Sequence, residues 1–253
     1  MDKFLSVALE ASKNAEKVIM KYYSDEIRAT FKPDQTPVTI ADKEAERIII
    51  ETIKKIFPDH GFLGEESGTS QLDSEYLWLI DPIDGTNNYI RKLPFFGTEI
   101  ALMKGKKFIL GVSNGPALNE TAHAFQGGGA FINGKMVHVS KIDTIREALV
   151  CYGNIKYFSK TNRSNNLLML ANDARYTRGY GDFWMYHLLA QGKIDIVAEA
   201  KLKIWDIAAC KVIVEEAGGK ITDMEGNKVT TETTSIIATN GKIHDVALSY
   251  FNR

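Results

Sequence analysis

The chain has 253 residues, of which 44% are hydrophobic and 25% charged, a composition typical of a water-soluble globular protein. Its 31 basic and 32 acidic residues leave a formal net charge of -1, which argues against nucleic acid or an anionic membrane surface as a partner. The length fits one large domain or two packed halves, and no apolar run approaches the roughly 20 residues of a membrane span. Cys151 and Cys210 stand far apart and no signal-peptide pattern precedes them, so we expect free thiols in a reducing cytoplasm.

The N-terminal segment predicts two amphipathic helices separated by a polar stretch. Apolar residues at three- and four-residue spacing predict a helix over residues 2 to about 24 and another over 39–57 that Pro58 ends. Residues 31–39 hold two prolines and predict a loop or hairpin. Lys32 in this stretch is interpreted as a solvated lysine, although it could neutralise a phosphate or a carboxylate.

Asp42 has two interpretations. Thr39 followed three residues later by Asp42 fits a capping box at the start of the second helix, which explains Asp42 structurally. The alternative is that Asp42 points into a site and accepts a proton.

The stretch that organises the chain is residues 76–87. An apolar run over residues 76–80 predicts a buried strand, and turn residues follow it from Asp81 to Gly85. Asp81 and Asp84 supply the hard oxygens that Mg²⁺ prefers, while Gly85 lets the backbone approach a ligand. A helix or turn starting at Thr86 would point its free N–H groups at an anion. The alternative interpretation is an acidic turn in which an aspartate acts as a cap.

Further carboxylates could complete this site. Glu65 and Glu66 stand between two glycines, one loop before the predicted strand, and neighbouring carboxylates repel unless a cation screens them. The candidate set is Glu65, Asp81, Asp84 and Asp206, with Glu66 and Asp42 in support. Several carboxylates that converge on two cations are what two-metal phosphoryl transfer requires. The combination therefore predicts a metal-dependent site for phosphate chemistry.

The rest of the chain predicts a β-meander followed by an α/β half with mixed strand directions. The meander comprises strands over 95–103, 107–115 and 120–126, a glycine turn at 127–129 and a hairpin at Asn133-Gly134. The second half is predicted to begin with a strand over 148–152, a helix over 159–173, and a turn over 178–182 that leads into a helix ending at 191. A strand over 194–198 follows, with Glu199 at its end, and then a helix over 205–217 with Asp206 as its N-cap. Strands over 221–223 and 235–239 and a last helix from about 242 complete the chain. Two halves, 1–141 and 142–253, are expected to pack as one unit.

Three segments carry a resemblance to a known family. Residues 64–67, residues 78–89, and residues 205–209 with 216–219 resemble the inositol monophosphatase family, over nearly the whole chain. Tyr89 stands where the family usually has Phe. The resemblance implies an α/β fold, a five-layer αβαβα sandwich. It also implies a homodimer and a Mg²⁺-dependent, Li⁺-inhibited hydrolysis of a small phosphomonoester.

The resemblance also implies which groups bind two or three Mg²⁺ ions. The ligands of the two main metals would be the side chains of Glu65, Asp81, Asp84 and Asp206 and the carbonyl of Ile83, with Asp81 shared. Glu66 would support a third, weaker metal through water.

The remaining implied roles concern water and substrate. Thr86 and Asp42 would form the pair that takes a proton from the attacking water. Gly85 and Thr86 would offer backbone N–H groups to the phosphate. Glu199 would accept hydrogen bonds from the part of the substrate that carries no phosphate.

The substrate prediction depends on residues 178–183 and 201–209, which look more like the histidinol-phosphatase branch than the inositol branch. Asp182 and Glu199 would suit a substrate with an ammonium and an imidazole, and Arg178 is a further candidate for substrate contact. A neutral polyol would need only hydrogen bonds, which keeps myo-inositol monophosphate as the alternative. Asp182 can also be interpreted as a helix cap.

Two rival functions remain. Haloacid-dehalogenase phosphatases also carry Asp-Gly-Thr after a strand, but their nucleophile and acid are two residues apart, whereas Asp81 and Asp84 are three apart. A covalent aspartyl-phosphate is therefore disfavoured. The other rival is a regulatory or binding protein on the same scaffold, which the intact ligand set argues against.

Overall fold

The computed structural model of the chain describes residues 1–25, 27, 29–33 and 36–252. Residues 34 and 35 of the predicted loop lie outside the described residues. The helices are α1 Asp2–Ser24, α2 Ile40–Lys54, α3 Thr86–Ile90, α4 Ile155–Lys160, α5 Ser164–Asp173, α6 Asp182–Ala190, α7 Ile204–Glu216 and α8 His244–Ser249. No helix in the described ranges has the length and apolar character needed to cross a bilayer.

The strands form a small hairpin and two larger sheets. Their bounds are β1 Ala29–Phe31, β2 Pro37–Thr39, β3 Gly61–Gly64, β4 Gly68–Ser70, β5 Tyr76–Asp84, β6 Gly97–Lys104, β7 Lys107–Gly115, β8 Glu120–Phe125, β9 Gly129–Ile132, β10 Lys135–Val137, β11 Leu149–Tyr152, β12 Tyr176–Arg178, β13 Ile196–Ala200, β14 Lys220–Thr222 and β15 Ser235–Thr239. The first sheet has the order β10-β9-β8-β7-β6-β5-β3-β4 and the second β12-β11-β13-β15-β14, while β1 pairs with β2.

Four apolar clusters among the described residues pack the elements into five layers. Helices α1 and α2 cover one face of the first sheet. Helices α6 and α7 fill the space between the two sheets, and α4, α5 and α8 cover the outer face of the second sheet. This αβαβα sandwich confirms the predicted fold class. Each sheet is buried on both faces where helices cover it, which explains why its central strands are almost continuously apolar.

The hydrogen-bond pattern of the sheets places the loops that carry the candidate site. Strands β3 and β5 are parallel, and the other pairs of the first sheet are antiparallel. In the second sheet β11 runs parallel to β12 and β13, whereas β13 and β15 are antiparallel. The predicted mixture of strand directions is therefore confirmed.

Several predicted boundaries are wrong for local reasons. The predicted helix over 159–173 is two helices, because the chain turns between Lys160 and Ser164, where Asn162 has a left-handed φ of 58°. The strand predicted to end at residue 80 continues to Asp84 as β5. The predicted turn at Arg178 is the end of strand β12, and Glu199 lies inside β13 rather than after it.

The two helix starts that matter for the site differ in outcome. The capping box of α2 is confirmed, since Asp42 Oδ2 accepts the N–H of Thr39 at 2.8 Å and Thr39 Oγ1 accepts the N–H of Ala41 at 3.1 Å. The assignment of Asp206 as the N-cap of α7 is wrong. Lys203 is the N-cap, and Asp206 is the third residue of the helix, where its Oδ2 accepts the N–H of Lys203 at 2.8 Å.

Candidate active site

Strand β5 and its parallel neighbour β3 end at the same edge of the first sheet. Gly64 is level with Ile80, and the N–H of Glu65 donates to the carbonyl of Ile80 at 3.1 Å. Since Asp81 follows Ile80, the pairing puts Glu65, the residue after β3, beside Asp81 near the end of β5. The parallel pairing thus explains why Glu65 and Asp81, distant in sequence, belong to one site.

The end of β5 is irregular, and this irregularity orients its acids. The pairing of β5 with β6 shifts register between Asp81 and Asp84, around Pro82 and Ile83. Asp81 Oδ1 accepts the N–H of Ile83 at 3.0 Å, and Asp84 Oδ2 accepts the N–H of Phe183, the second residue of α6, at 2.6 Å. Each carboxylate is thus oriented by a backbone N–H from which one of its oxygens accepts a hydrogen bond.

A cleft of about 610 Å³ opens at this edge and is lined by acids from both halves of the chain. Glu65 and Asp84 come from the first half, and Asp182, Glu199 and Asp206 come from α6, β13 and α7. Asp81 is 3% exposed and lies outside the lining, although its pKa is raised by the charges of Glu65, Asp84 and Asp206, after burial. The structure therefore brings the predicted acids into one electrostatic unit.

Burial and mutual repulsion raise the pKa of these carboxyl groups. The pKa of Asp81 and of Asp84 lies well above the ordinary value, with burial as the main cause and neighbouring acids next. Burial likewise raises the pKa of Asp206 to about 7, of Glu199 to about 8 and of Asp182 to about 6. Buried carboxylates that repel one another favour a bound cation, which would relieve the repulsion.

The donor set fits a hard divalent cation. The predicted side-chain ligands all offer carboxylate oxygens, which Mg²⁺ prefers. Within the described ranges no three His, Cys, Asp or Glu side chains already form a metal cage. Instead, Lys32 donates to Glu65 at 2.8 Å and to Glu66 at 2.6 Å. The ammonium of Lys32 therefore neutralises part of the negative charge of Glu65 and Glu66.

The predicted water-activating pair is spatially adjacent. Thr86 Oγ1 lies 3.4 Å from Asp42 Oδ1 and donates to the carbonyl of Ile83 at 3.1 Å. Gly85 precedes α3 with a left-handed φ of 84°, and no side chain caps the helix. A Cβ at Gly85 would lie 2.7 Å from the carbonyl oxygen of Phe95, so both φ and space require glycine here.

Of the three side chains predicted to contact the substrate, the structure places two at the cleft and one away from it. Asp182 and Glu199 both line the cleft. Asp182 Oδ2 accepts a hydrogen bond from the side-chain amide of Asn88 at 2.6 Å, and Glu199 Oε2 accepts one from the hydroxyl of Tyr186 at 2.7 Å. Asp182 is the first residue of α6 and has a left-handed φ of 50°, a strained conformation for a non-glycine residue. Arg178 is exposed, stacks over Tyr176 at 3.8 Å and is absent from the lining, so the structure does not bring it to the cleft.

Sequence reasoning missed one residue that shapes the site, Glu46, and chose the wrong one of two interpretations for Lys32. Glu46 is 1% exposed, and its carboxylate accepts the N–H groups of Glu66 at 2.9 Å and Ser67 at 2.7 Å. It lies four residues after Asp42 on the buried side of α2, and an acid on an apolar helix face was the available signal. The interpretation of Lys32 as solvated is wrong, because Lys32 pairs with both Glu65 and Glu66.

A buried polar chain lies behind the carboxylates. Glu99, the cross-strand neighbour of Asp81, is fully buried and accepts from Ser113 Oγ at 2.5 Å and from Cys210 Sγ at 3.3 Å. Ser113 Oγ lies 2.6 Å from His187 Nε2. Burial raises the pKa of Glu99 to about 8.

This shift predicts a pH-dependent stability. Between the pKa of an unfolded glutamate, 4.5, and the folded value of about 8, the folded chain holds a proton that the unfolded chain releases. The free energy of unfolding therefore falls as pH rises through that range. Calorimetry in the presence of chelator measures how much Tm falls between pH 6 and pH 8. We expect this fall to be smaller in Glu99→Gln than in the unaltered protein by roughly 2–4 °C.

The exposed Glu232 provides the matched control. Glu232→Gln should keep the pH dependence of the unaltered protein. If Glu99→Gln lost as much Tm as Glu232→Gln over the same pH interval, the raised pKa of Glu99 would be wrong.

Comparison with known proteins identifies the class. The inositol monophosphatase family model matches residues 1–253. A histidinol-phosphatase of Streptomyces coelicolor is 36% identical over 237 residues, covering 90% of this chain and 88% of that protein. A fructose-1,6-bisphosphatase/inositol-1-monophosphatase of Thermotoga maritima is 34% identical over 220 residues, covering 85% and 82%. The crystal structure of the extragenic suppressor protein suhB of Bartonella henselae superposes with a TM-score of 0.93 at 29% identity, covering 99% of both chains.

The chain has a five-layer sandwich with an acid-lined cleft at the ends of β3 and β5, and it matches known phosphatases. These findings define it as a phosphatase and hence a hydrolase. The chain belongs to the inositol monophosphatase family, whose members are generally metal-dependent and act on small phosphorylated substrates.

Proposed function

We propose that the protein hydrolyses histidinol phosphate with Mg²⁺ as cofactor, by direct attack of water on phosphorus. The side chains of Glu65, Asp81, Asp84 and Asp206 and the carbonyl of Ile83 would hold two metal ions. Bound there, Mg²⁺ would supply Lewis-acid activation and neutralise charge on the phosphate. The supporting observation is the mutually repelling acid cluster, which has Lys32 paired with Glu65 on its rim.

The other residues of the site orient water and phosphate. Asp42 would accept the proton of the attacking water through Thr86, since Thr86 Oγ1 lies 3.4 Å from Asp42 Oδ1. Burial raises the pKa of Asp42 to about 6, which suits a group that takes and releases a proton near neutrality. Gly85 and Thr86 would offer backbone N–H groups to the phosphate. Glu66 would hold a third metal through water in place of Lys32.

One observation supports a cationic substrate. Asp182 and Glu199 are half-buried acids on the cleft wall, a charge on either disfavours a charge on the other, and neither forms an ion pair with a described residue. Histidinol phosphate carries an ammonium and an imidazole, which would offset this negative charge. The name of the Streptomyces coelicolor relative agrees with this assignment.

The alternative substrate is myo-inositol monophosphate. The Thermotoga maritima relative is named for inositol-1-monophosphatase as well as fructose-1,6-bisphosphatase activity. A polyol would use the same wall through hydrogen bonds, with Glu199 and Tyr186 as partners. It would leave the excess negative charge of the wall unbalanced, which is why we place it second.

A side-by-side assay separates these functions. Phosphate release from histidinol phosphate, inositol monophosphate, fructose bisphosphate and adenosine bisphosphate is measured in millimolar Mg²⁺. We expect kcat/KM for histidinol phosphate to exceed each of the others at least about tenfold, a difference of about 1.4 kcal/mol in transition-state binding. Hydrolysis of none of them would favour the regulatory or binding protein instead.

Substitution of Asp182 tests the substrate wall. In Asp182→Asn we expect kcat/KM for histidinol phosphate to fall at least about tenfold more than for inositol phosphate, because the lost charge faces the substrate's cations. Asp73→Asn, which alters an exposed acid, should change neither value. Equal losses on both substrates would leave no role for Asp182 in selecting a cation.

We also propose a Li⁺-sensitive cytoplasmic homodimer. Both cysteines are free, as predicted, and both are buried; free thiols suit a reducing compartment. Phe95, Trp184 and Tyr180 form an aromatic cluster with ring centroids 5.1 Å apart, and Tyr180 is 37% exposed, which offers a surface for a second copy. Sedimentation of the full chain tests the dimer.

A further inference from the structure

A second cavity, of about 290 Å³, lies between α1 and the meander of the first sheet. Its lining includes Ser12, Lys13 and Glu16 from α1 and His123 from β8. None of its lining residues lines the candidate active site.

The first sheet separates the two cavities. Asn114 of β7 donates to Glu16 on α1 at 2.9 Å, so this side chain faces the outer helices. The preceding residue, Ser113, contacts His187 of α6 and therefore faces the central layer. Glu99, beside Asp81, faces the central layer too, through Cys210 of α7. The second cavity is thus on the opposite face of the sheet from the metal-site acids.

Two buried polar atoms at this cavity lack a partner. Ser12 is 2% exposed, and neither Ser12 Oγ nor His123 Nδ1 has a hydrogen-bond partner among the described residues. A buried polar atom left without a partner costs about 1–3 kcal/mol, so such atoms are rare unless a bound molecule satisfies them. Burial also lowers the pKa of His123, so its ring is neutral near pH 7 and can accept a hydrogen bond.

Charges of both signs stand beside these atoms. Lys13 and Glu16 are one helical turn apart, yet no ion pair joins them in the described part of the chain. Glu16 Oε2 accepts a hydrogen bond from Asn114, and Asn114 Oδ1 accepts one from the hydroxyl of Thr121 at 2.6 Å. These two hydrogen bonds fix the Glu16 side chain to the sheet. An ammonium beside Glu16 and a carboxylate beside Lys13 would complement both charges.

We propose that this cavity binds a small zwitterionic metabolite of amino-acid size. The ammonium of the ligand contacts Glu16, its carboxylate contacts Lys13, and its polar atoms satisfy Ser12 and His123. A volume of about 290 Å³ lies at the lower end of ordinary ligand pockets, which limits the ligand to a single small metabolite. The inference is independent of the phosphatase substrate.

The test uses the full chain and the proteinogenic amino acids as probes, by calorimetric titration at millimolar concentration with myo-inositol as a neutral comparison. We expect at least one amino acid to bind and myo-inositol not to bind here. Glu16→Gln, which keeps an acceptor for Asn114, should weaken that amino acid at least about tenfold. Ser12→Ala should weaken it as well, and Glu10→Gln, an exposed acid one helix face away, should not.

Three results would overturn the proposal. The first is that no amino acid in the panel binds, and the second is that Glu16→Gln and Glu10→Gln bind alike. The third is that the binding disappears in Asp84→Asn, which would assign it to the phosphatase cleft. Circular dichroism and Tm of each variant show that an altered affinity is not a loss of folding.

Discussion

Asp84→Asn is expected to lower kcat/KM for phosphate release by more than about 10², because it removes one charged ligand of the proposed metal site. The amide oxygen can still accept the N–H of Phe183, which Asp84 accepts at 2.6 Å, so the local backbone is retained. The same change should raise the Tm of the protein in chelator, since the charge of Asp84 is buried and repelled by Asp182 and Asp206. Activity and stability are therefore expected to move in opposite directions.

Steady-state assays and calorimetry on one preparation measure both effects. Asp73→Asn, an exposed change of the same type, should leave both unchanged. Near-normal turnover of Asp84→Asn would remove Asp84 from the metal site. A drop in its Tm in chelator would contradict the repulsion inferred for the acid cluster.

Gly111→Ala should destabilise the fold by about 3 kcal/mol, at the upper end of ordinary overpacking. Gly111 is on β7, and a Cβ there would lie 2.3 Å from the carbonyl oxygen and 2.8 Å from the Cα of Ala209 in α7. Backbone cannot rotate away as a side chain can, so α7 must move off the sheet. Because α7 carries Asp206, phosphatase activity should fall together with Tm, which differential scanning calorimetry measures.

A second glycine serves as the control. At Gly179 the nearest atom to an added Cβ is in the side chain of Tyr152, at 3.1 Å, which can give way. We expect Gly179→Ala to cost less than about 1 kcal/mol. If Gly111→Ala cost no more than this control, the close packing of α7 on β7 would be wrong.

Local patterns in the sequence predict most of the elements, and the misses have physical causes. Strands β7 and β15 and helix α1 follow the predicted bounds because periodicity and turn residues agree there. The extension of β5 through Asp81 and Pro82 depends on pairing with β6, a contact that no local pattern encodes. The break between α4 and α5 depends on the backbone conformation of Asn162, since no proline or glycine interrupts that stretch.

In the candidate site too, some residues are predicted from sequence patterns and others are placed only by tertiary contacts. Motif spacing predicts Glu65, Asp81 and Asp84 as one group, and the parallel pairing of β3 and β5 brings them together. The contacts of Lys32 and Glu46 depend on how the hairpin and α2 lie against β3, which the sequence alone does not give. Arg178 was a candidate by its position in a motif, yet its side chain is exposed beside Tyr176.

The acids of the candidate cleft come from early and late parts of the chain. Acids that follow β3 and β5 leave the ribosome early, whereas Asp182 and Asp206, on α6 and α7, are translated much later. A nascent chain that stops before α7 therefore lacks part of the candidate acid cluster, however well its first sheet has formed. The candidate cleft can therefore be completed only late in translation, after α7 has been synthesised.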